Sequence, residues 1–407
     1  MRLRDLLLLA GLLLSARPGA REDLVVLSSG KELRGRVVYE DERRLVLRQG
    51  ARDTAIERRD VQRCDSALAR LRELLANAAR HELDLQRCEL LAEQAGDAGL
   101  EGEQKNFLWR MLRLDPAHDA AHRALGHRPD LAHPGRWLVP LDTRRVDYEQ
   151  RFEDAARWDT AWELEGYHYR LRSNLGLEVN LDALLGLERL YLAFYQLFGA
   201  ELGLYEVCRP MNVALHADAA SYPPSGSPYG HYEPLTDTIH MQAAGGLAWP
   251  TLAHEAVHQL LYDTAFRERN RSGALPAWLD EGLAEYVAAG VGEPAATLTF
   301  EAGRPARRHF ETHARARPPM ELEELLGLQV EDFDARAERD LKYAQSYTLV
   351  HYLLHGDEGR WRAGFLEYLR SVYETKGARP DLLEHYSGQR RKLEKGWTAY
   401  AHAQAGE

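Results

Sequence analysis

Five consecutive residues, His254-Glu255-Ala256-Val257-His258, constrain this chain more than any other feature of it. Residues four apart share one face of an α-helix, so a helix brings both imidazoles to one point with Glu255 beside them. In a strand the same two side chains would stand about 13 Å apart, too far to share an ion. The flanks favour the helix. Leu252, Val257, Leu260 and Leu261 supply an apolar face, and Pro250 marks its beginning. Two imidazoles are one ligand short, because a catalytic zinc takes three protein ligands and keeps a fourth position for water. The fold must therefore press a second element, carrying another donor, against the first.

The stretch Pro276-Ala277-Trp278-Leu279-Asp280-Glu281-Gly282-Leu283-Ala284-Glu285-Tyr286 offers that donor. Glu281 is the expected third ligand. Glu285, one turn later on the same face, is placed to accept a hydrogen bond from a ligand imidazole and fix its tautomer. Trp278, Leu279, Leu283 and Tyr286 predict a buried setting for both.

HEAVH and WLDEGLAEY together resemble the gluzincin metallopeptidases, in particular the aminopeptidase-related peptidase MA group, over roughly residues 165–370. The resemblance implies a thermolysin-like α+β domain, with a small sheet, the HExxH helix and a helical C-terminal part. It implies Zn2+ held by His254, His258 and Glu281, with Glu255 as the general base that activates water against a peptide bond. It also implies a tyrosine that stabilises the oxyanion. In Tyr343-Ala344-Gln345-Ser346-Tyr347 the better match is Tyr343, with Tyr347 one turn on as the alternative. Two departures are visible. Residues 259–280, 22 in all, separate His258 from Glu281, more than in the aminopeptidases, which an inserted loop at 267–274 would explain. Ala243-Ala244-Gly245-Gly246-Leu247 has glycines where those enzymes read a peptide N-terminus, but lacks their acidic pair. Endopeptidase, exopeptidase and specialised processing activities all stay open. An extended substrate would pair with residues 238–242 as an edge strand.

Upstream, residues 21–65 alternate in short β-prone runs separated by turns, predicting a meander or small SH3-like barrel whose default role is packing or docking a protein partner. Residues 66–144 change to helical spacing, with a Pro/Gly/His-rich linker at 127–140. From 145 to 407 strands come first and helices after, the order of an α+β domain. His216, His231, His240 and His351 are given no role, since an isolated histidine is more often packed than ligating.

Arg2 and Arg4 ahead of an apolar run at 6–14 read as a signal peptide over residues 1–20, too short to remain as a membrane span. The expected location is secreted or periplasmic. A net charge of -11 argues against nucleic acid as a partner. Cys64, Cys88 and Cys208 form no metal-binding spacing; Cys64 and Cys88 could pair, or all three could be separate thiols. Two rival functions share these residues: a binding protein with a relic zinc domain, and a zinc hydrolase of a non-peptide bond.

Overall fold

Val25, Val37, Leu45, Leu47 and Ile56, drawn from four strands, Asp23–Leu27, Glu32–Glu40, Arg44–Gln49 and Arg52–Glu57, meet in one buried cluster. A fifth strand, Val61–Asp65, returns to pair antiparallel with the first, so the order is 52–57, 44–49, 32–40, 23–27, 61–65. This is the expected meander, folded back on its own start. Its last strand has only Val61 and Cys64 as apolar residues, too few to show alternation. The computed structural model describes residues 22–223, 228–264, 275–291, 301–335, 338–374 and 380–406; the expected leader at 1–20 and the loop at 267–274 lie outside them. No helix among the described residues is long and apolar enough to cross a membrane.

Chain contacts divide the molecule into two compact units. The first holds the β module and the helices Ala67–Ala78, Leu85–Asp97 and Glu101–Leu114 together, and also takes in Glu165–His168 and Glu206–Pro210. The stretch expected to be a linker is structured instead. Trp137–Leu141 pairs with Arg128–Pro129 and Arg144–Asp147 in a three-stranded sheet, because Trp137, Val139 and Leu141 alternate inward. All three cysteines are free thiols.

The two returning segments are held by charge. Glu206, 2 % exposed, lies 3.2 Å from Arg36 Nη2 and 3.2 Å from His168 Nε2. Burial opposes its ionisation, but Arg36 and His168 keep it below the usual carboxylate range. A chain beginning at Arg145 would lose Arg36 and leave His168 as the remaining charged partner of that carboxylate. Such a fragment is expected to be less soluble and to melt lower than the full chain. Equal melting temperatures by calorimetry would show that the segment finds another partner.

The second unit carries a five-stranded sheet in the order 230–233, 238–242, 211–216, 169–173, 162–165. Tyr169–Ser173, Met211–His216 and Thr238–Gln242 run parallel, with the helix Leu177–Phe194 as the first crossover, and Gly230–Glu233 closes antiparallel on the last. Thr238–Gln242 is thus an interior strand and not the expected edge: the turn at 234–237 folds the preceding segment onto it, leaving Gly230–Glu233 at the edge. After the sheet the elements among the described residues are all helices, and the fold is α+β with an N-terminal β module.

Two buried histidines tie the C-terminal helices together. His313 contacts Thr348 Oγ1 through Nδ1 at 2.9 Å, and His351 donates from Nε2 to Gly303 O at 3.0 Å. Burial pushes each down to about 4. The unfolded chain then binds protons that the folded one refuses between pH 6.5 and 4, so stability is complete above 6.5 and lost on acidification through that window. The slope is about 1.4 kcal/mol per pH unit for each histidine. Melting temperatures are expected to fall across this range, and less steeply in the His313→Gln/His351→Gln variant. An unchanged slope in the variant would remove both from the explanation.

Candidate metal centre

The helix Trp249–Tyr262 forms as expected, with Pro250 in its first turn and Leu252, Ala253, Ala256, Val257, Leu260 and Leu261 buried beneath it. Its apolar face leaves His254 and His258 on the other side. The helix Ala277–Val291 carries Glu281 and buries Trp278, Leu279, Leu283 and Tyr286. Gly282, next to Glu281, has a packing reason. A Cβ there would stand 2.7 Å from Ser346 O and 2.8 Å from Val350 Cγ2, so only glycine lets the helix Arg339–His355 approach this closely. That third helix brings Tyr343.

His254, His258 and Glu281 each present one ligand atom, and these atoms all lie within 4.8 Å of one another. The two Nε2 atoms are 3.0 Å apart, and Glu281 Oε2 is 3.2 Å from that of His254 and 3.5 Å from that of His258. Ligands at zinc distances in a tetrahedron are separated by about 3.3 Å. The outer ring nitrogens are both taken by acids: His258 Nδ1 donates to Asp280 Oδ1 at 2.9 Å, and His254 Nδ1 faces Glu285 Oε1 at 3.2 Å. With each ring's proton held outward by its acid, as a bound cation would require, both Nε2 lone pairs would face inward, toward one another and toward a carboxylate oxygen. Glu281 Oε2 is buried and makes no hydrogen bond. Three donors converging on one point could hold a cation, and a set of two imidazoles and one carboxylate suits zinc.

The surrounding acids favour positive charge at this point. Burial alone would lower both imidazoles, but Glu281 and Glu285 raise His254 to about 10, and Asp280 with Glu281 carry His258 well above its usual value. Burial likewise opposes ionisation of Glu281, yet His258 and His254 bring it down to about 2. Glu285 is drawn well below the usual carboxylate range by His254 and His309. The side chains of His254 and Glu281 are 13 % and 16 % exposed, so neither is fully sealed from solvent.

Glu255 projects beside the pair and accepts the Tyr232 N–H at 2.9 Å through Oε2. The two candidate tyrosines separate cleanly. Tyr347 is fully buried, its hydroxyl accepting the Ala306 N–H at 2.8 Å and donating to Arg304 O at 3.2 Å, so it braces that segment. Tyr343 is half-buried with its ring centroid 6.1 Å from that of His254. Burial and the nearby Glu281 carboxylate push its phenol up to about 12, so it keeps its proton and can donate.

Sequence reading missed three participants. Asp280 could have been suspected from its place beside Glu281. His309, 3.0 Å from Glu285 Oε2, and Tyr232 come from distant segments with no local signal. Residues 248–376 match a family model described as "Protein of unknown function (DUF1570)", a span that contains both imidazoles, Glu281 and Tyr343. No curated protein matches the chain.

Proposed function

We propose that this chain is an exported zinc-dependent metallopeptidase. The observation that carries the reading is the convergence of His254 Nε2, His258 Nε2 and Glu281 Oε2 on one point, with each imidazole backed by a carboxylate and Glu255 alongside. A zinc ion bound there would supply a Lewis acid for the scissile carbonyl and acidify water. His254, His258 and Glu281 would hold it, while Asp280 and Glu285 keep the imidazole lone pairs turned inward. Glu255 takes the proton of the attacking water and returns it to the departing amine, acting first as base and then as acid. Tyr343 donates its phenolic hydrogen to the oxygen that becomes negative in the tetrahedral intermediate. The edge strand Gly230–Glu233, tied to Glu255 through Tyr232, is the surface on which an extended peptide would lie.

Stripping divalent metal with a chelator is expected to abolish peptide hydrolysis, and stoichiometric zinc to restore it. Tyr343→Phe tests the oxyanion role. It keeps the ring against Phe333, whose centroid lies 5.3 Å away, and removes only the hydroxyl. Both kcat and kcat/KM should fall together by about 10²–10³ with KM nearly unchanged. Full activity in Tyr343→Phe would assign the oxyanion to another donor.

A further inference from the structure

A general base must point at its target, and a glutamate on a helix surface has many rotamers. What restrains Glu255 is a circuit that runs through the neighbouring hairpin and back to its own helix. Its Oε2 accepts the backbone N–H of Tyr232 at 2.9 Å, while Oε1 takes part in no hydrogen bond among the described residues. Tyr232 sits opposite Ile239 in the edge pairing, and its ring packs against Tyr262, centroids 5.9 Å apart. Its hydroxyl donates to Asp237 Oδ1 at 3.2 Å. Asp237 is 3 % exposed and closes the turn at φ 52°, a left-handed conformation that aspartate tolerates better than most residues. Gln259, fully buried, donates from Nε2 to both Asp237 O and Asp237 Oδ1 at 3.1 Å. Glu255 and Gln259 are four apart and so lie on one helix face. Tyr232 is therefore fastened to that face at both ends, by its amide and by its hydroxyl.

We propose that Tyr232, locked by Asp237 and Gln259, is a positioning residue that fixes the Glu255 carboxylate, with one oxygen anchored and the other left to take the proton. The inference rests on Glu255 being the base. A residue tied at both its amide and its hydroxyl has few other geometries open to it, and misplacing a reacting group by about 1 Å costs on the order of 10²-fold in rate. None of the three residues supplies a metal ligand, so their loss should leave the zinc in place.

The test uses the full-length, zinc-loaded chain carrying Tyr232→Phe, with Gln259→Leu as a second variant that breaks the same circuit from the helix side. Site-resolved hydrogen exchange at the amide of residue 232 should speed up about tenfold in both. The Gln242 amide, which bonds Tyr229 O at 2.9 Å, serves as the control and should not change. Activity should fall about 10–100-fold in kcat with KM and zinc content unchanged. Unchanged exchange at residue 232 together with wild-type kcat would overturn the proposal. So would a loss of kcat that tracks loss of zinc or of melting temperature, since the circuit would then only support the fold. A wild-type chain without hydrolytic activity would overturn the base assignment itself, an outcome distinct from an active wild type with an equally active Tyr232→Phe.

Discussion

Glu255→Gln is expected to keep one zinc per chain and to lose about 10²–10⁴ in kcat. The carboxylate is not among the converging ligand atoms, and its one visible contact, the Tyr232 N–H at 2.9 Å, needs only an oxygen acceptor, which glutamine retains. What glutamine cannot do is take a proton from water. Metal content by mass spectrometry and turnover on a fluorogenic peptide separate the two properties. Metal loss in this variant would make Glu255 a ligand, and retained turnover would move the base elsewhere.

Glu281→Ala is expected to do the reverse. It removes the oxygen that stands 3.2 Å and 3.5 Å from the two imidazole nitrogens, leaving a two-ligand site. Asp280→Asn, which weakens only the partner of His258 Nδ1, should cost about 10–100-fold in zinc affinity. Glu281→Ala should cost more than that, with activity falling as a consequence. Competition with a chromogenic chelator measures both. Equal zinc affinity in Glu281→Ala and wild type would assign the third ligand to another residue.

The part of the site that could be read from the chain is the part encoded within single helices. His254, Glu255 and His258 lie within one turn and a half, and Glu281 and Glu285 within another, so helical spacing alone places each set on a face. Tyr343 and Tyr347 also share a face, and spacing could not choose between them. Arg304 and Ala306 distinguish them, since their backbone occupies the Tyr347 hydroxyl. Tyr232, Asp237 and His309 act through hairpin closure and helix packing, which leave no periodic trace. The same limit explains the sheet. Residues 238–242 look like an edge in isolation because alternation says nothing about which neighbours a strand acquires, and only the turn at 234–237 decides that Gly230–Glu233 lies outside. The stretch 127–140 misleads for a related reason: only Pro134 and Gly135 sit in a turn, Pro129 and Pro140 lie within strands, and Trp137–Leu141 reads as linker until Trp137 and Val139 are seen to be buried.

The most direct measurement is the mapping of new termini after incubation of the zinc-loaded full-length protein with a complex peptide library, alongside Glu255→Gln and a metal-stripped sample. A metallopeptidase built on His254, His258 and Glu281 should generate new amino termini in the first sample and in neither of the others. Intact peptides in all three, or equal cleavage by Glu255→Gln, would contradict it.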